Sequence, residues 1–102
     1  ATAKSFGIEP NNFIKIINGA TGKNNTTEVK LDKFVISKKF NSGFALNLMC
    51  KDVSIANDLI KNYTSNSPFS ENVINYLNNS LDFLSHDSDH TEVYKYIVRK
   101  LT

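Results

Sequence analysis

Residues 43–59, GFALNLMCKDVSIANDL, set a lysine and a carboxylate, Lys51 and Asp52, inside the most apolar stretch of the chain. Such a pair can bind an anion, carry a proton or anchor another side chain. On a helix, adjacent residues point about 100° apart and cannot pair with each other. Each charge therefore calls for a partner from outside its own turn, or for water. Two other segments hold residues of the right types for chemistry. HDSDH (86–90) spaces His86 and His90 as a helical zinc site would. But Asp89 followed by Glu92 reads as a capping box, which puts the histidines on either side of a loop-to-helix junction. No third ligand stands nearby, so no metal site is expected. GATGKN (19–24) hints at a phosphate loop, yet Ile17 stands where the first glycine is needed and Asn24 where a hydroxyl is needed. No strand precedes it, and it is excluded as a nucleotide motif. Cys50 falls on the apolar side of its segment and reads as core rather than nucleophile.

These residues need elements to position them. Ala1 to Phe6 reads as the closing turns of a helix that Gly7 ends, with the chain a piece of something longer. Pro10 suits the first turn of a second helix with an apolar stripe of Phe13, Ile14, Ile16 and Ile17, which the Gly19 to Gly22 stretch terminates. Asn25 and Glu28 form a plausible cap pair for a short helix to about Phe34. Lys38 to Gly43 is a loop. From Phe44 to about Asn62 runs the longest helix, with Leu46, Met49, Cys50, Val53, Ala56 and Ile60 in one apolar sector. On that wheel Lys51 lies with Asn47, Ser54 and Asp58 on the polar side. Asp52 falls among Leu48, Leu59, Met49 and Ala56, where a carboxylate needs a donor from elsewhere. Ser67-Pro68 opens another helix carrying Phe69, Val73, Tyr76, Leu77, Leu81 and Leu84, and Asp89 opens the last, with Val93, Tyr96, Ile97 and Leu101. No segment sustains the alternation of a strand. The expectation is an all-α single domain of about five helices.

Composition narrows the class. A chain of 102 residues with 40% hydrophobic residues can bury one modest core, so a disordered chain is not expected. Twelve basic residues are scattered, the net charge is +2 and no run of like charge occurs, which excludes nucleic acid and membrane surfaces as expected partners. One cysteine, no secretory pattern and no long apolar run point to a cytoplasmic protein. Fourteen asparagines create N-x-[ST] matches at Asn24, Asn25, Asn62 and Asn78, which composition accounts for without glycosylation.

The order of FGIEP (6–10), INGATGKNNTTEVKL (17–31), FNSGFALNLMCKDVSIA (40–56) and DHTEVYKYI (89–97) resembles the C-terminal domain of the 3-hydroxyisobutyrate dehydrogenase family, the β-hydroxyacid dehydrogenases related to 6-phosphogluconate dehydrogenase. The most specific part is F-x-L-x-L-x-x-K-D-x-x-x-A, met by Phe44, Leu46, Leu48, Lys51, Asp52 and Ala56. The resemblance implies an NAD- or NADP-dependent parent enzyme acting on a small β-hydroxyacid. It also implies an N-terminal Rossmann domain that binds most of the cofactor and an upstream catalytic lysine, so no catalytic residue is expected in this chain. Lys4 and the Asn11-Asn12 pair do not reproduce that upstream motif. By the same resemblance Lys51 contacts the nicotinamide cofactor, Phe44 and Asp52 lie by the substrate cleft, and helices mediate a homo-oligomer. An imine or other reductase on the same scaffold, and a stand-alone α-helical interaction domain, are the alternatives.

Overall fold

Glycine and proline set the first boundaries. In the computed structural model, which describes residues 1–65 and 67–99, helix α1 (Thr2–Ser5) closes on Gly7 at φ +96°. Gly7 N–H donates to the Lys4 carbonyl and Ile8 N–H to that of Ala3, at 3.0 and 2.9 Å, which satisfies the last carbonyls of the turn. Helix α2 (Pro10–Asn18) begins on its proline, where the missing N–H leaves no bond unmade. Of its expected stripe only Ile14 is buried; Phe13 and Ile16 are exposed.

The next helix differs from expectation in kind and in cap. Thr26–Ile36 is wound as a π-helix, the wider i to i+5 coil, and buries Phe34 and Val35. Asn24, not Asn25, caps it. Thr27 N–H donates to Asn24 Oδ1 at 3.2 Å and Asn24 N–H to Thr27 Oγ1 at 3.0 Å. Glu28 instead pairs with Lys23 at 3.0 Å. The expected Asn25–Glu28 pair does not form: Asn25 makes no side-chain cap bond, and the residue before it supplies one. The loop after the π-helix turns through left-handed conformations at Lys38 and Phe40, and Phe40 N–H returns to the Phe34 carbonyl at 3.0 Å.

Helices α3 (Leu46–Tyr63) and α4 (Pro68–Phe83) pack together as a hairpin. Ser70 Oγ donates to Asn57 Oδ1 at 2.7 Å across it, and Lys61 pairs with Glu71 at 3.2 Å. Ser67 caps α4, as its sequence predicts, by accepting from Ser70 N–H. The Asp89–Glu92 capping box forms too; it opens a short 3-10 turn (His90–Glu92) that runs into α5 (Val93–Val98). Tyr96 of α5 is buried, edge-on to Tyr76 at 5.0 Å and tilted against Phe83 at 5.6 Å. Such aromatic contacts add to the gain from burial itself. Leu101, expected on this helix, lies outside the described residues.

The fold is thus all-α, and no strand or helix long and apolar enough to cross a membrane occurs among the described residues. The core is small. Leu46 at the start of α3 is fully buried, and Cys50, Ile74, Tyr96 and Phe34 are buried as well. Much apolar surface stays open: Phe6, Tyr63 and Phe69 are each at least 80% exposed. A groove of about 760 Å³ runs past Phe13, Leu31, Val35, Phe40, Phe83 and Val98. Because Leu46 is the one large side chain wholly withdrawn from water among the described residues, Leu46→Ala should cost about 2–5 kcal/mol. Urea unfolding checks this, and a loss under about 1 kcal/mol would mean that the site collapses around the smaller side chain.

Candidate functional site

The start of α3 carries no side-chain cap, since Ala45 occupies that position. Its first N–H, that of Leu46, donates instead to the Ser88 carbonyl at 2.8 Å. Around this bond residues 42–46 lie zipped against residues 88–91. Ala45 and Asp89 form an isolated antiparallel bridge, and His90 N–H donates to the Phe44 carbonyl at 2.8 Å. Asp89 holds the two segments together. Its carboxylate accepts from Ser42 Oγ at 2.9 and 3.0 Å, from Gly43 N–H at 3.0 Å, from Thr91 N–H at 3.0 Å and from the Thr91 hydroxyl. Gly43 can aim its N–H there because it sits at φ +88°, a conformation strained for any residue with a Cβ.

Burial pushes the Asp89 carboxyl up, but these hydroxyl and backbone donors outweigh it and hold the group down at about 2, below its ordinary 3.8. Cys50 moves the other way. Burial of the thiol raises it, as fits a core side chain and not a nucleophile.

Phe44 lies just before α3, not within it as the periodicity suggested, and is half-buried with its ring edge-on to His90 at 5.6 Å and 67°. Lys51 and Asp52, on the second turn, are both exposed. Neither side chain has an ion pair or hydrogen bond among the described residues. For Asp52 this differs from the donor that its wheel position called for. The reason is that α3 has two apolar faces. Leu46, Cys50 and the buried Asn57 point inward, while Leu48, Ile55 and Leu59 flank Asp52 on an outward stripe, each about half exposed. Ala56 is exposed as well, so the sector read from the sequence joined residues that the fold separates.

The HDSDH histidines do straddle a junction and serve different partners. His86 Nδ1 lies 3.2 Å from the Asn47 amide nitrogen, and His90 Nδ1 lies 2.9 Å from Ser42 Oγ and 3.1 Å from the Phe44 carbonyl. No group of three potential metal ligands occurs among the described residues. Ser42, His90 and Asp89 are the residue types of a hydrolytic triad, but not its arrangement. A nucleophilic serine gives its proton to histidine, whereas here the carboxylate takes that hydrogen bond directly. The sequence marked Asp89 as a local cap and missed its reach to Ser42 and Gly43. A serine and glycine just ahead of an uncapped helix were the available signal.

Residues 1–97 match the family described as NAD-binding of NADP-dependent 3-hydroxyisobutyrate dehydrogenase, and the chain belongs to that family. Over 50 residues, 49% of the chain, it is 36% identical to 2-(hydroxymethyl)glutarate dehydrogenase of Eubacterium barkeri. The matched stretch spans 17% of that enzyme's length.

The acid sensitivity of the clamp follows from its geometry. The folded carboxyl titrates near 2 and the unfolded one near 3.8, so the stabilisation is complete above about pH 4 and is lost as pH falls toward 2. That difference corresponds to about 2 kcal/mol. Asp89→Asn should therefore be less stable at neutral pH and should show a flatter stability profile between pH 4 and 2. Parallel profiles in chemical denaturation across that window would show that the clamp contributes nothing.

Proposed function

We propose that this chain is the C-terminal all-α domain of a two-domain, NAD(P)-dependent β-hydroxyacid dehydrogenase, in which Lys51 contacts the nicotinamide cofactor. The observation that carries this reading is the contrast between α3's two lysines. Lys61 is committed to Glu71, while Lys51, on the K-D turn of a family-matched helix, is exposed with no ion partner among the described residues. A compact, mobile ammonium suits a polar contact with a bound dinucleotide. Nothing in the chain supplies the rest of such a site, since the glycine-rich strand-turn-helix of a dinucleotide fold has no counterpart in its sequence.

The bound nicotinamide would supply or accept the hydride of the reaction. This chain's residues would do three things. Lys51 would hold the cofactor from the side opposite the Rossmann domain. Phe44, with its ring edge-on to His90, would keep water from the reacting face. Asp52, unpaired here and set in an apolar stripe, would bond a catalytic group brought by the upstream domain, where the catalytic lysine is placed in this reading. The exposed stripe of Leu48, Ile55 and Leu59, and the groove between α2 and α5, would be covered by that domain and by a second subunit. The substrate is a small β-hydroxyacid and the setting cytoplasmic.

In the full-length protein, Lys51→Ala should weaken NADH or NADPH binding by roughly 1.5–3 kcal/mol, the worth of a charged hydrogen bond. Lys51→Arg should recover only part of it, because a planar fork does not replace an ammonium. Fluorescence titration of both cofactors reads this; affinity equal to wild type in Lys51→Ala would leave the residue merely solvated. The 102-residue chain alone should turn over no β-hydroxyacid, since it lacks an oriented cofactor and a proton donor. Measurable turnover by the purified chain would refute the division of labour.

A further inference from the structure

The clamp at the start of α3 contains a histidine whose proton can be placed from its neighbours. The Phe44 carbonyl can only accept, so the bond to His90 Nδ1 at 3.1 Å requires that this nitrogen carry the hydrogen. Ser42 Oγ, 2.9 Å from the same nitrogen, has a single proton, and the Asp89 carboxylate beside it accepts that proton in a hydrogen bond. The donors therefore run in one direction: the single His90 Nδ1–H is shared between the Phe44 carbonyl and Ser42 Oγ, and the Ser42 hydroxyl donates to Asp89. Placing the proton on Nε2 would set the Nδ1 lone pair against the Phe44 carbonyl oxygen. Nε2 has no partner among the described residues.

The consequence falls on Phe44 and α3. The Phe44 carbonyl receives two N–H groups of His90, one from the backbone at 2.8 Å and one from the ring. The fixed ring plane then supports the Phe44 ring edge-on. Two residues on, Leu46 N–H is held by Ser88, and from there the helix runs unbroken through Lys51 and Asp52.

We propose that Asp89, Ser42 and His90 form a positioning network for the cofactor-facing end of this domain, with His90 held in its Nδ1–H form as the link to Phe44. The proposal rests on the reading that Phe44 and Lys51 face the nicotinamide cofactor. The three residues touch neither cofactor nor substrate in this scheme. They act by holding the groups that do, where a misplacement of about 1 Å is enough to weaken function strongly.

Two measurements on the full-length protein test it. Ring ¹⁵N shifts above the histidine titration range should show His90 protonated at Nδ1 and bare at Nε2; the opposite tautomer overturns the network. Ser42→Ala should then shift His90 toward mixed tautomers, speed amide exchange at Leu46 and weaken NADH or NADPH binding roughly tenfold with an unchanged circular dichroism spectrum. Ser42→Thr, which keeps the hydroxyl, should restore most of the binding. Native affinity in Ser42→Ala beside a weakened Lys51→Ala overturns the positioning role alone. Native affinity in Lys51→Ala as well overturns the cofactor reading on which the role depends.

Discussion

A carboxylate taken out of water must be met by donors, and Asp89 is met by two backbone N–H groups and two hydroxyls. Two of those donors, Ser42 and Gly43, come from a segment 46–47 residues away in sequence. The need to satisfy one partly buried charge thus fixes where the loop before α3 sits. The same junction supplies the Ser88 carbonyl that starts α3, a helix with no cap of its own. Withdraw the carboxylate and Ser42, Gly43 and the approach to Leu46 lose their common anchor. Everything that α3 presents downstream, Lys51 and Asp52 included, takes its register from that anchor.

Helix α3 then faces two ways. Its inner face closes a small core through Leu46 and Cys50, and an asparagine, Asn57, is buried there at the cost of a dedicated hydroxyl partner, Ser70. Its outer face is as apolar at Leu48, Ile55 and Leu59 as many core stripes, and it carries an unpaired carboxylate among them. A helix apolar on two sides is suited to lie between two bodies. Membership of a dehydrogenase family, matched over residues 1–97, gives that arrangement a purpose in the reading proposed above.

The helical class, the Pro10 and Ser67-Pro68 starts, the Gly7 stop and the Asp89–Glu92 box were all legible in the sequence, because each depends on residues within one turn of each other. What failed to show was non-local or degenerate. The spacing to Glu28 points to Asn25 as the cap, whereas the folded turn uses Asn24 with Thr27 and sends Glu28 to Lys23. The π winding of 26–36 leaves a pattern that periodicity cannot separate from an α-helix. The wheel placed Asp52 among apolar residues correctly but had no means of knowing that this face looks outward. For the proposed site, the K-D pair and Phe44 were singled out through family resemblance, whereas the Asp89 clamp required tertiary contacts between distant segments.

The reading turns on where the Lys51 ammonium sits when a nicotinamide cofactor is bound. A crystal structure of the full-length protein with its cofactor locates that atom directly. The expected result is Lys51 Nζ within about 3 Å of a polar cofactor atom, with the Phe44 ring beside the nicotinamide. A cofactor bound elsewhere, with Lys51 still in open solvent, would contradict it.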